Sequence, residues 1–423
     1  MIKTLFVVTV LPLYDRQGAS YSRILEYSKA LILDKETSIY LLSYDYPDDL
    51  RKLQSEVIPN VFICGKEIKT KNSGSFLTRA VKKKIDEKKR KYFLKNLSNF
   101  LDQFESMRSG FIYPSLMGYQ LEKEVIKIFK TKSIPVFSER NELKLGIALN
   151  KAFPKNLLKK AIFSLNYPFL VWDFNRQDKL AKKYDGNIAI SKTMEQYLLK
   201  MNKPVIRIPI LSDIDRFQFE KQSQNDDMIN IGYTGSLTYK KDGLGELIKA
   251  IALLINKYNV SNIKLNIYGS GYRDTIEKLE SLINKLGLSK HVFLHGKVTS
   301  EEIPEIQVQQ DILVLTRPQN LQTRFGFSTK LAEYMASGVV VLTTNVSDNL
   351  LFIKDGENGF IADTYEAEKV AEKFFDIINN KKYLDKKIIE CANVTATKYF
   401  NSKRYKDKLA RFLFPENNEE TIV

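Results

Sequence analysis

The sequence contains few of the residues that support covalent cross-links or metal chemistry. Its 423 residues include 2 cysteines, 2 histidines and 1 tryptophan. Cys64 and Cys391 have no partner spacing, which argues against a disulfide framework and indicates a reducing compartment. His291 and His295 flank a predicted strand and show no ligand spacing with acids or cysteines. They are interpreted as structural, and no metal site is expected.

Membrane-spanning runs and the common nucleotide and nucleic-acid signatures are missing as well. No run approaches the ~18 apolar residues of a membrane helix. The opening MIKTLFVVTVLPLYDRQG lacks the small-residue cleavage site of a signal peptide and is interpreted as a first strand, so a cytoplasmic protein is expected. The absence of a full G-x-G-x-x-G argues against a dinucleotide cofactor, and the absence of zinc spacing and RNA-binding motifs argues against nucleic acid.

Positive charge is in excess, and nearly all of the excess lies in the first half of the chain. Residues 1–200 hold 36 of the 66 Lys+Arg and 21 of the 50 Asp+Glu, a net charge of +15 out of +16. The excess peaks between Arg79 and Lys95, and a second basic stretch from Lys155 mixes lysines with large apolar side chains. This composition suits an anionic membrane surface. A solvated helix face is the alternative.

Strand-like and helix-like segments alternate along both halves of the chain, which is the pattern of a doubly wound α/β fold. The first strand ends in a loop that contains Gly18, where the backbone could approach a ligand closely. The predicted strands span residues 2–11, 37–43, 61–64, 109–113, 134–138, 187–190, 228–233, 263–268, 292–295, 311–316 and 339–342, with 187–190 as the last strand of the first half.

The most informative stretch is RFGFSTKLAEYMASGVVVLTTN, from Arg324 to Asn345. Ser328 or Thr329 can cap the start of a helix, because a short side-chain oxygen accepts a hydrogen bond from a free backbone N–H there. Gly338 ends the helix in the left-handed conformation, and the apolar residues after it form a buried parallel strand.

Lys330 is unfavourably placed in the first turn of this helix, where the macrodipole disfavours a cation by about 0.3–1 kcal/mol. A bound anion, held by the free N–H groups and by Lys330 together, would remove the conflict. Glu333 follows about one turn later on the same side, which puts an acceptor for sugar hydroxyls beside the anion site. The alternative is a plain amphipathic helix whose Lys-Glu pair is solvated.

The segment GFSTKLAEYMASG, followed by an apolar strand, resembles the donor-site helix of the retaining GT-B glycosyltransferases of family four, the glycosyl transferases group 1. The resemblance implies the GT-B fold, an α/β architecture in which two Rossmann-like doubly wound parallel-sheet domains face a cleft. It implies an acceptor-side domain at residues 1–212, onto which a C-terminal helix at about 396–415 packs back. It also implies a domain at 213–395 that binds a nucleotide-sugar.

The resemblance assigns further roles by motif position. Glu333 matches the second of two family glutamates with seven residues between them and would hold the nucleotide ribose, while Phe325 replaces the first, which normally contacts the sugar. Lys241 matches a lysine that grips the donor diphosphate, and Ser236 replaces the usual arginine. An ordinary turn is the alternative for this loop, although small residues there leave N–H groups free for phosphate oxygens. The full implied donor-binding set is Gly18, Gly235, Ser236, Val298, Ser328, Thr329, Lys330 and Glu333.

Polar residues follow the predicted strand at 134–138. Glu139, Arg140 and Glu142 come at its carboxyl end, where open α/β sheets bind ligands, so they are candidates to bind an acceptor or a partner strand end. In relatives a similar stretch lines the acceptor side of the cleft. The alternative is an Arg–carboxylate pair that ties down a loop.

Together these features predict a retaining glycosyltransferase that moves a hexose-type sugar from a nucleotide-sugar to a glycan or lipid-linked acceptor in bacterial-type cell-surface polysaccharide assembly. The predicted catalytic set is Lys241, Lys330 and Glu333, with the lysines stabilising the leaving diphosphate. Glu139 or Glu142 is the candidate general base. No metal and no cofactor besides the donor are expected, and the protein is expected at the inner membrane face. A GT-B epimerase and an inactive carbohydrate- or lipid-binding scaffold are the alternatives.

Overall fold

The computed structural model describes most of the chain as two lobes, each built on one β-sheet. The described residues are 2–16, 18–45, 50, 54–65, 79–105, 107–115, 117–150, 157–217, 219–221, 227–238 and 241–415. Of the two basic stretches, residues 155 and 156 and the side chains of residues 79–85, 157–160 and 162 lie outside this description.

The first lobe contains an eight-stranded sheet with the order β3-β4-β2-β1-β5-β6-β7-β8. Neighbouring strands are parallel except β3 and β4, which form an antiparallel pair at one edge. The strands are β1 (Lys3–Thr9), β2 (Thr37–Ser43), β3 (Gln54–Ile58), β4 (Val61–Cys64), β5 (Met107–Ile112), β6 (Val136–Arg140), β7 (Gly186–Ala189) and β8 (Val205–Arg207).

The second lobe contains a six-stranded sheet that is parallel throughout, with the order β11-β10-β9-β12-β13-β14. Its strands are β9 (Ile229–Thr234), β10 (Ile263–Tyr268), β11 (Val292–Gly296), β12 (Ile312–Leu315), β13 (Val340–Thr344) and β14 (Phe360–Ala362).

Helices connect the parallel strands and cover the sheets, as crossover connections require. They are α1 (Ala19–Leu31), α2 (Arg79–Leu101), α3 (Tyr119–Thr131), α4 (Lys144–Asn150), α5 (Leu157–Asp178), α6 (Lys192–Leu199), α7 (Leu244–Asn256), α8 (Arg273–Lys285), α9 (Ile303–Val308), α10 (Leu321–Phe325), α11 (Thr329–Ala336), α12 (Asn349–Phe352), α13 (Ala367–Asn379), α14 (Lys386–Phe400) and α15 (Lys406–Leu413).

The apolar side chains of the central strand β1 point to both faces of the first sheet. Leu5 and Val7 belong to one apolar cluster, whereas Phe6 and Val8 belong to another on the opposite face of the sheet. Successive side chains of a strand point to opposite faces, so both faces of the first sheet are buried. An alternating polar pattern is therefore absent, as expected for a parallel sheet covered on both sides.

The predicted fold class is confirmed, and every predicted strand has an observed counterpart. The sequence analysis missed β3, β8 and β14, which all lie at sheet edges. Strands β8 and β14 have only three residues each, and β3 (QSEVI) begins with polar residues, so none of the three carries a strong periodic signal.

The end of the described chain contacts both lobes. Helix α14 contributes to the core of the second lobe, for example through Phe400. Helix α15 packs against α1 and β5 of the first lobe, where Leu409 and Leu413 enter the core. The lobes are also joined directly: Ser191 Oγ donates to the Phe325 carbonyl at 2.7 Å, and Arg207 Nη1 lies 3.1 Å from Asp348 Oδ2. These contacts hold the two lobes in position on either side of the cleft.

Candidate functional site

A cavity of about 360 Å³ lies in the cleft, at the carboxyl ends of strands β1, β9, β10 and β11 and at the start of α11. Its size is in the range of small-molecule sites, and its position follows the rule for open α/β sheets. Seven predicted donor-binding residues line it: Gly18, Gly235, Ser236, Val298, Thr329, Lys330 and Glu333.

Lys330 is a largely buried cation of this cavity wall and has a carboxylate partner that the sequence analysis did not identify. Its Nζ lies 3.3 Å from Asp242 Oδ1, and its side chain is 12% exposed. Burial lowers the pKa of Lys330 to about 8; the Arg317 and Lys241 charges add to the shift, and Asp242 opposes it. Burial therefore disfavours the charged form of Lys330, and a bound anion would stabilise that form.

Asp242 holds two cations together below the cavity. Arg317 Nη2 lies 3.2 Å from the same Oδ1 that contacts Lys330. Burial alone would favour the neutral acid, but Lys330 and Arg317 hold the pKa of Asp242 well below its usual range. Two cations therefore share one ionised carboxylate, which leaves a local positive charge at the start of α11.

Gly235 is required for the position of Lys330. Its φ angle is +132°, and a Cβ atom at this residue would lie 2.1 Å from Lys330 Cε. No side chain fits between the end of β9 and the lysine. The glycine thus lets the Lys330 stem lie directly against the backbone of the Thr234–Ser236 turn.

Glu333 lies one turn after Lys330 and lines both this cavity and a second one of about 500 Å³ beside it. Burial raises the pKa of Glu333, and the Arg216 charge opposes the shift. Arg216 comes from the segment that connects the two sheets, and its Nη2 donates to the Ser300 carbonyl. The linker thus supplies a cation to the wall that Glu333 and the loop after β11 form.

The start of α11 differs from the prediction in one respect. Ser328 occupies the N-cap position, but its side chain makes no capping hydrogen bond. Ser328 Oγ is buried and has no partner among the described residues. The predicted side-chain cap is therefore wrong, because the hydroxyl of Ser328 does not reach the N–H groups of the first turn.

Lys241 lies outside this cavity and is engaged elsewhere. Its Nζ donates to a carboxylate oxygen of Glu142, which comes from the first lobe. The other oxygen of Glu142 accepts from Gln322 Nε2 at 3.1 Å. Burial alone would raise the pKa of Glu142, but Lys241 lowers it, so the carboxylate is ionised. The two predicted cations, Lys241 and Lys330, are thus held by different carboxylates.

Glu139 and Arg140 do not reach the cleft. Strand β6 continues through Arg140, so both residues lie inside the sheet, with exposures of 1% and 4%. Arg23 Nε donates to Glu139 at 2.8 Å, and Arg140 Nη2 donates to Glu122 at 2.6 Å. The acceptor-side prediction is corrected for both residues, since buried carboxylates and guanidinium groups need paired partners. Only Glu142 of the predicted trio faces the second lobe.

Phe325, which replaces the first family glutamate, packs in the contact between the lobes. Its ring lies 5.7 Å from that of Tyr197, edge to face, and it packs against an apolar cluster that includes Leu143 and Met194. Its carbonyl accepts the hydrogen bond from Ser191 described above. The position therefore joins the lobes rather than lining the cavity.

The sequence analysis missed Asp242, Arg317 and Arg216 as site residues. Arg317 follows strand β12 by two residues, and Asp242 lies in the loop after β9, so the rule about carboxyl strand ends could have identified both. Arg216 carries no such signal, because its position depends on how the connecting segment folds against Ser300 and Glu333.

Among the described residues, no group of three or more His, Cys, Asp or Glu side chains could hold a metal ion. Within the same residues, no helix is both long and apolar enough to cross a membrane.

Comparison with protein families gives a match to "Glycosyl transferases group 1" over residues 214–393. This range contains α11, the β9 turn and the loop after β11. The match confirms the resemblance that the motif helix suggested.

Among proteins of known role, the capsular polysaccharide biosynthesis glycosyltransferase CapM of Staphylococcus aureus is 31% identical to the chain over 212 residues. The alignment covers 46% of this chain and 52% of CapM. The chain spans about half the length of the curated relatives it matches.

Solved structures show the same fold over nearly all of the chain. Sucrose-phosphate synthase from Thermosynechococcus elongatus has a TM-score of 0.71 at 12% identity and covers 97% of this chain and 98% of its own. Anabaena HepE, solved in complex with UDP, has a TM-score of 0.62 at 14% identity, with 97% and 99% covered. The chain has the GT-B fold.

Proposed function

We propose that the chain is a glycosyltransferase that takes a sugar from a nucleotide-sugar donor bound in the cleft. The observation that carries the proposal is the wall formed by Gly235, Lys330 and Glu333. It places a buried cation at a helix N-terminus beside a carboxylate, within one cavity. A cation and free N–H groups suit a diphosphate, and a carboxylate suits ribose hydroxyls.

The proposed catalysis is electrostatic. As the bond between sugar and phosphate breaks, negative charge develops on the diphosphate, and Lys330 and the start of α11 are positioned to stabilise it. The anion would also stabilise the charged form of Lys330, which burial disfavours. We propose Lys241 as the second cation that binds the diphosphate. To do so, its ammonium group must leave the Glu142 carboxylate and contact a phosphate oxygen. Glu333 would hold the donor through its ribose.

The finer proposals concern stereochemistry and substrates. We propose transfer of a hexose-type sugar with retention, in which the leaving phosphate takes the acceptor proton, and no metal ion is required. The acceptor is proposed to be a glycan or lipid-linked glycan of the cell surface, met at the membrane; the capsular relative supports this substrate class. The alternative proton acceptor is Glu142, the one of the two candidate bases that remains, because Glu139 is buried against Arg23.

Donor binding is the first test. Thermal unfolding is measured with UDP-, GDP-, ADP- and CMP-sugars for the wild type, for Lys330→Ala and for the control Lys285→Ala, an exposed lysine at the end of α8. A ligand at about 100 times its Kd adds about 2.7 kcal/mol of stability, which corresponds to several degrees. The proposal expects a shift with one nucleotide that Lys285→Ala keeps and Lys330→Ala loses. No shift with any nucleotide would contradict it.

Turnover separates transfer from the two alternatives. The bound donor is incubated with and without a mixture of cell-surface glycans and lipid-linked acceptors, and the products are analysed by mass spectrometry. Sugar attached to an acceptor supports the proposal. Release or epimerisation of the sugar without any acceptor would favour an epimerase, and binding without turnover would favour a scaffold.

A further inference from the structure

The outward face of α5 carries a stripe of large apolar side chains. Leu165, Phe169 and Trp172 are 82%, 66% and 51% exposed. Their spacing of four and three residues places them on one side of the helix. The rings of Phe169 and Trp172 lie 5.5 Å apart. We call these three residues the α5 stripe.

Lysines line the neighbouring surface. Lys123, Lys127, Lys130 and Lys183 line a cavity of about 590 Å³ together with Glu124. Glu124 is already paired with Arg90 at 3.0 Å, and Lys130 lies 3.8 Å from Asp185. Among the described residues, Lys123, Lys127 and Lys183 have no ion-pair partner. This lysine surface is therefore strongly positive and uncompensated.

The α5 stripe and the lysine surface are contiguous. Helix α3, which carries most of these lysines, packs against α5. The Arg176 guanidinium of α5 lies 3.6 Å from the ring centroid of Tyr119 and 4.3 Å from that of Trp172. Gln120, next to Tyr119, lines both the lysine cavity and the groove that contains Arg176. The apolar and cationic groups thus form one composite face of the first lobe.

We propose that this composite face docks the protein on an anionic lipid membrane. Leu165, Phe169 and Trp172 would enter the boundary between headgroups and acyl chains, where aromatic side chains are favoured. The lysines would lie at the level of the lipid phosphates, and each contributes a factor of about five to partitioning onto an anionic surface.

Two features favour a membrane over a second copy of the chain. A symmetric pair of composite faces would bring the uncompensated lysines of both copies together, and like charges in an interface oppose association. An anionic bilayer complements both the lysines and the stripe. The composition is also that of interfacial helices, with aromatic and aliphatic side chains on one side and lysines beside them.

The apolar part of the face is connected to the cleft, because α5 packs against α4. Helix α4 begins two residues after Glu142 and precedes α5 in the chain. A Cβ atom at Gly146 of α4 would lie 2.9 Å from the backbone N of Gln322, so α4 is closely packed against the second lobe. A docked α5 would therefore hold the Glu142 side of the cleft near the bilayer. Membrane docking stands without the transfer reaction, whereas delivery of a lipid-linked acceptor rests on it.

The experiment uses the one tryptophan of the chain as its probe. The full chain is mixed with vesicles of phosphatidylcholine alone or with phosphatidylglycerol, and both co-flotation and Trp172 emission are recorded. The proposal expects flotation and a blue shift only with the anionic vesicles. Equal binding to both vesicle types, or flotation without a change in Trp172 emission, would overturn it.

Matched variants locate the binding face. Leu165→Ser with Phe169→Ser is compared with Leu384→Ser, an apolar residue that is 59% exposed on the second lobe. Lys123→Gln with Lys127→Gln is compared with Lys285→Gln with Lys386→Gln, two exposed lysines of the second lobe. The first-lobe lysine variant should bind about 25-fold more weakly, and the stripe variant should lose the blue shift.

The controls should bind like the wild type. Equal losses in control and test variants would overturn the proposal, as would a concentration-dependent dimer that only the stripe variant abolishes. Each variant is also checked for its thermal midpoint and its response to nucleotide. A variant that keeps the nucleotide response but loses vesicle binding is folded, and it separates the membrane proposal from the proposed transfer reaction.

Discussion

Lys241 of the second lobe is ion-paired with Glu142 of the first lobe across the cleft. The two residues are 99 positions apart in the chain, and their side chains are 27% and 25% exposed. Gln322 donates to the same carboxylate. The proposed diphosphate-binding lysine is therefore occupied by a carboxylate in this conformation, which links donor binding to the contact between the lobes.

Glu142→Gln should strengthen nucleotide binding. Removal of the charge frees Lys241 for phosphate, and a partly exposed ion pair contributes about 1 kcal/mol or less, so the gain should be up to about fivefold. The change in affinity is measured by isothermal titration calorimetry with the nucleotide that gave the thermal shift. Glu357→Gln, which removes an exposed partner of Lys354, is the control and should change nothing. Weaker binding in Glu142→Gln would instead indicate that Glu142 itself holds the donor.

Gly235→Ala should abolish the nucleotide response and lower stability. The new Cβ would contact the Lys330 stem at 2.1 Å, and the backbone conformation is strained for alanine, at a cost of about 1–3 kcal/mol. Gly287→Ala is the control: its φ is also positive, at +69°, but no atom lies within 4 Å of its Cβ position. Urea unfolding and the thermal shift compare the two. If Gly287→Ala also lost the nucleotide response, the effect could not be assigned to Lys330.

Nucleotide affinity should fall as the pH rises through the pKa of Lys330, which is about 8 in the free protein. The protonated lysine binds phosphate and the neutral one does not, so affinity should fall by up to about tenfold per pH unit above this value. Titrations at several pH values measure the slope. Lys330→Arg should remain charged and give a flatter profile. A profile that is equally steep in both proteins would assign the titration to another group.

The same pKa sets a pH dependence of folding stability. The unfolded chain binds the Lys330 proton more tightly than the folded chain, because burial lowers the pKa from 10.5 to about 8. The contribution of this lysine to the free energy of unfolding should therefore rise with pH between these two values. Comparison of urea unfolding for the wild type and Lys330→Met across that window isolates the contribution, which should be absent in the variant.

Asp242→Asn should be strongly destabilising. It leaves Lys330 and Arg317 buried without their shared carboxylate, and loss of one partner of a buried pair costs about 3–5 kcal/mol. Urea unfolding gives the change in free energy. The double variant Asp242→Asn with Lys330→Met should recover part of the loss, because it also removes one of the unpaired charges. Additive losses would show that the two residues do not interact.

Local patterns were sufficient to predict most of the fold. The apolar run at 339–342 and the helix before it were predicted because a buried parallel strand and a glycine-ended helix have strong local signals. Strands β3, β8 and β14 were missed because these short edge strands lack such signals. Lys330 and Glu333 were predicted to face the same side of the helix because they are about one helical turn apart. Both line the same cavity in the structure.

The error at Glu139 and Arg140 has a simple cause. A strand end cannot be located to within two residues from the sequence, and here β6 continues through Arg140. This extension puts both side chains inside a sheet that helices cover, where ion pairs with Arg23 and Glu122 stabilise them. Glu142, two residues further on, emerges at the cleft.

By itself, the sequence determined the two-sheet architecture, the motif helix and the place of Lys330 in its first turn, because each depends on residues within one or two turns or strands. Tertiary structure decided which charges are paired. Asp242 meets Lys330 from 88 positions away, and Glu142 meets Lys241 from 99. Such contacts depend on how loops and lobes face each other in the folded protein. A buried charged side chain then needs an opposite charge beside it, because an unpaired buried charge is strongly destabilising.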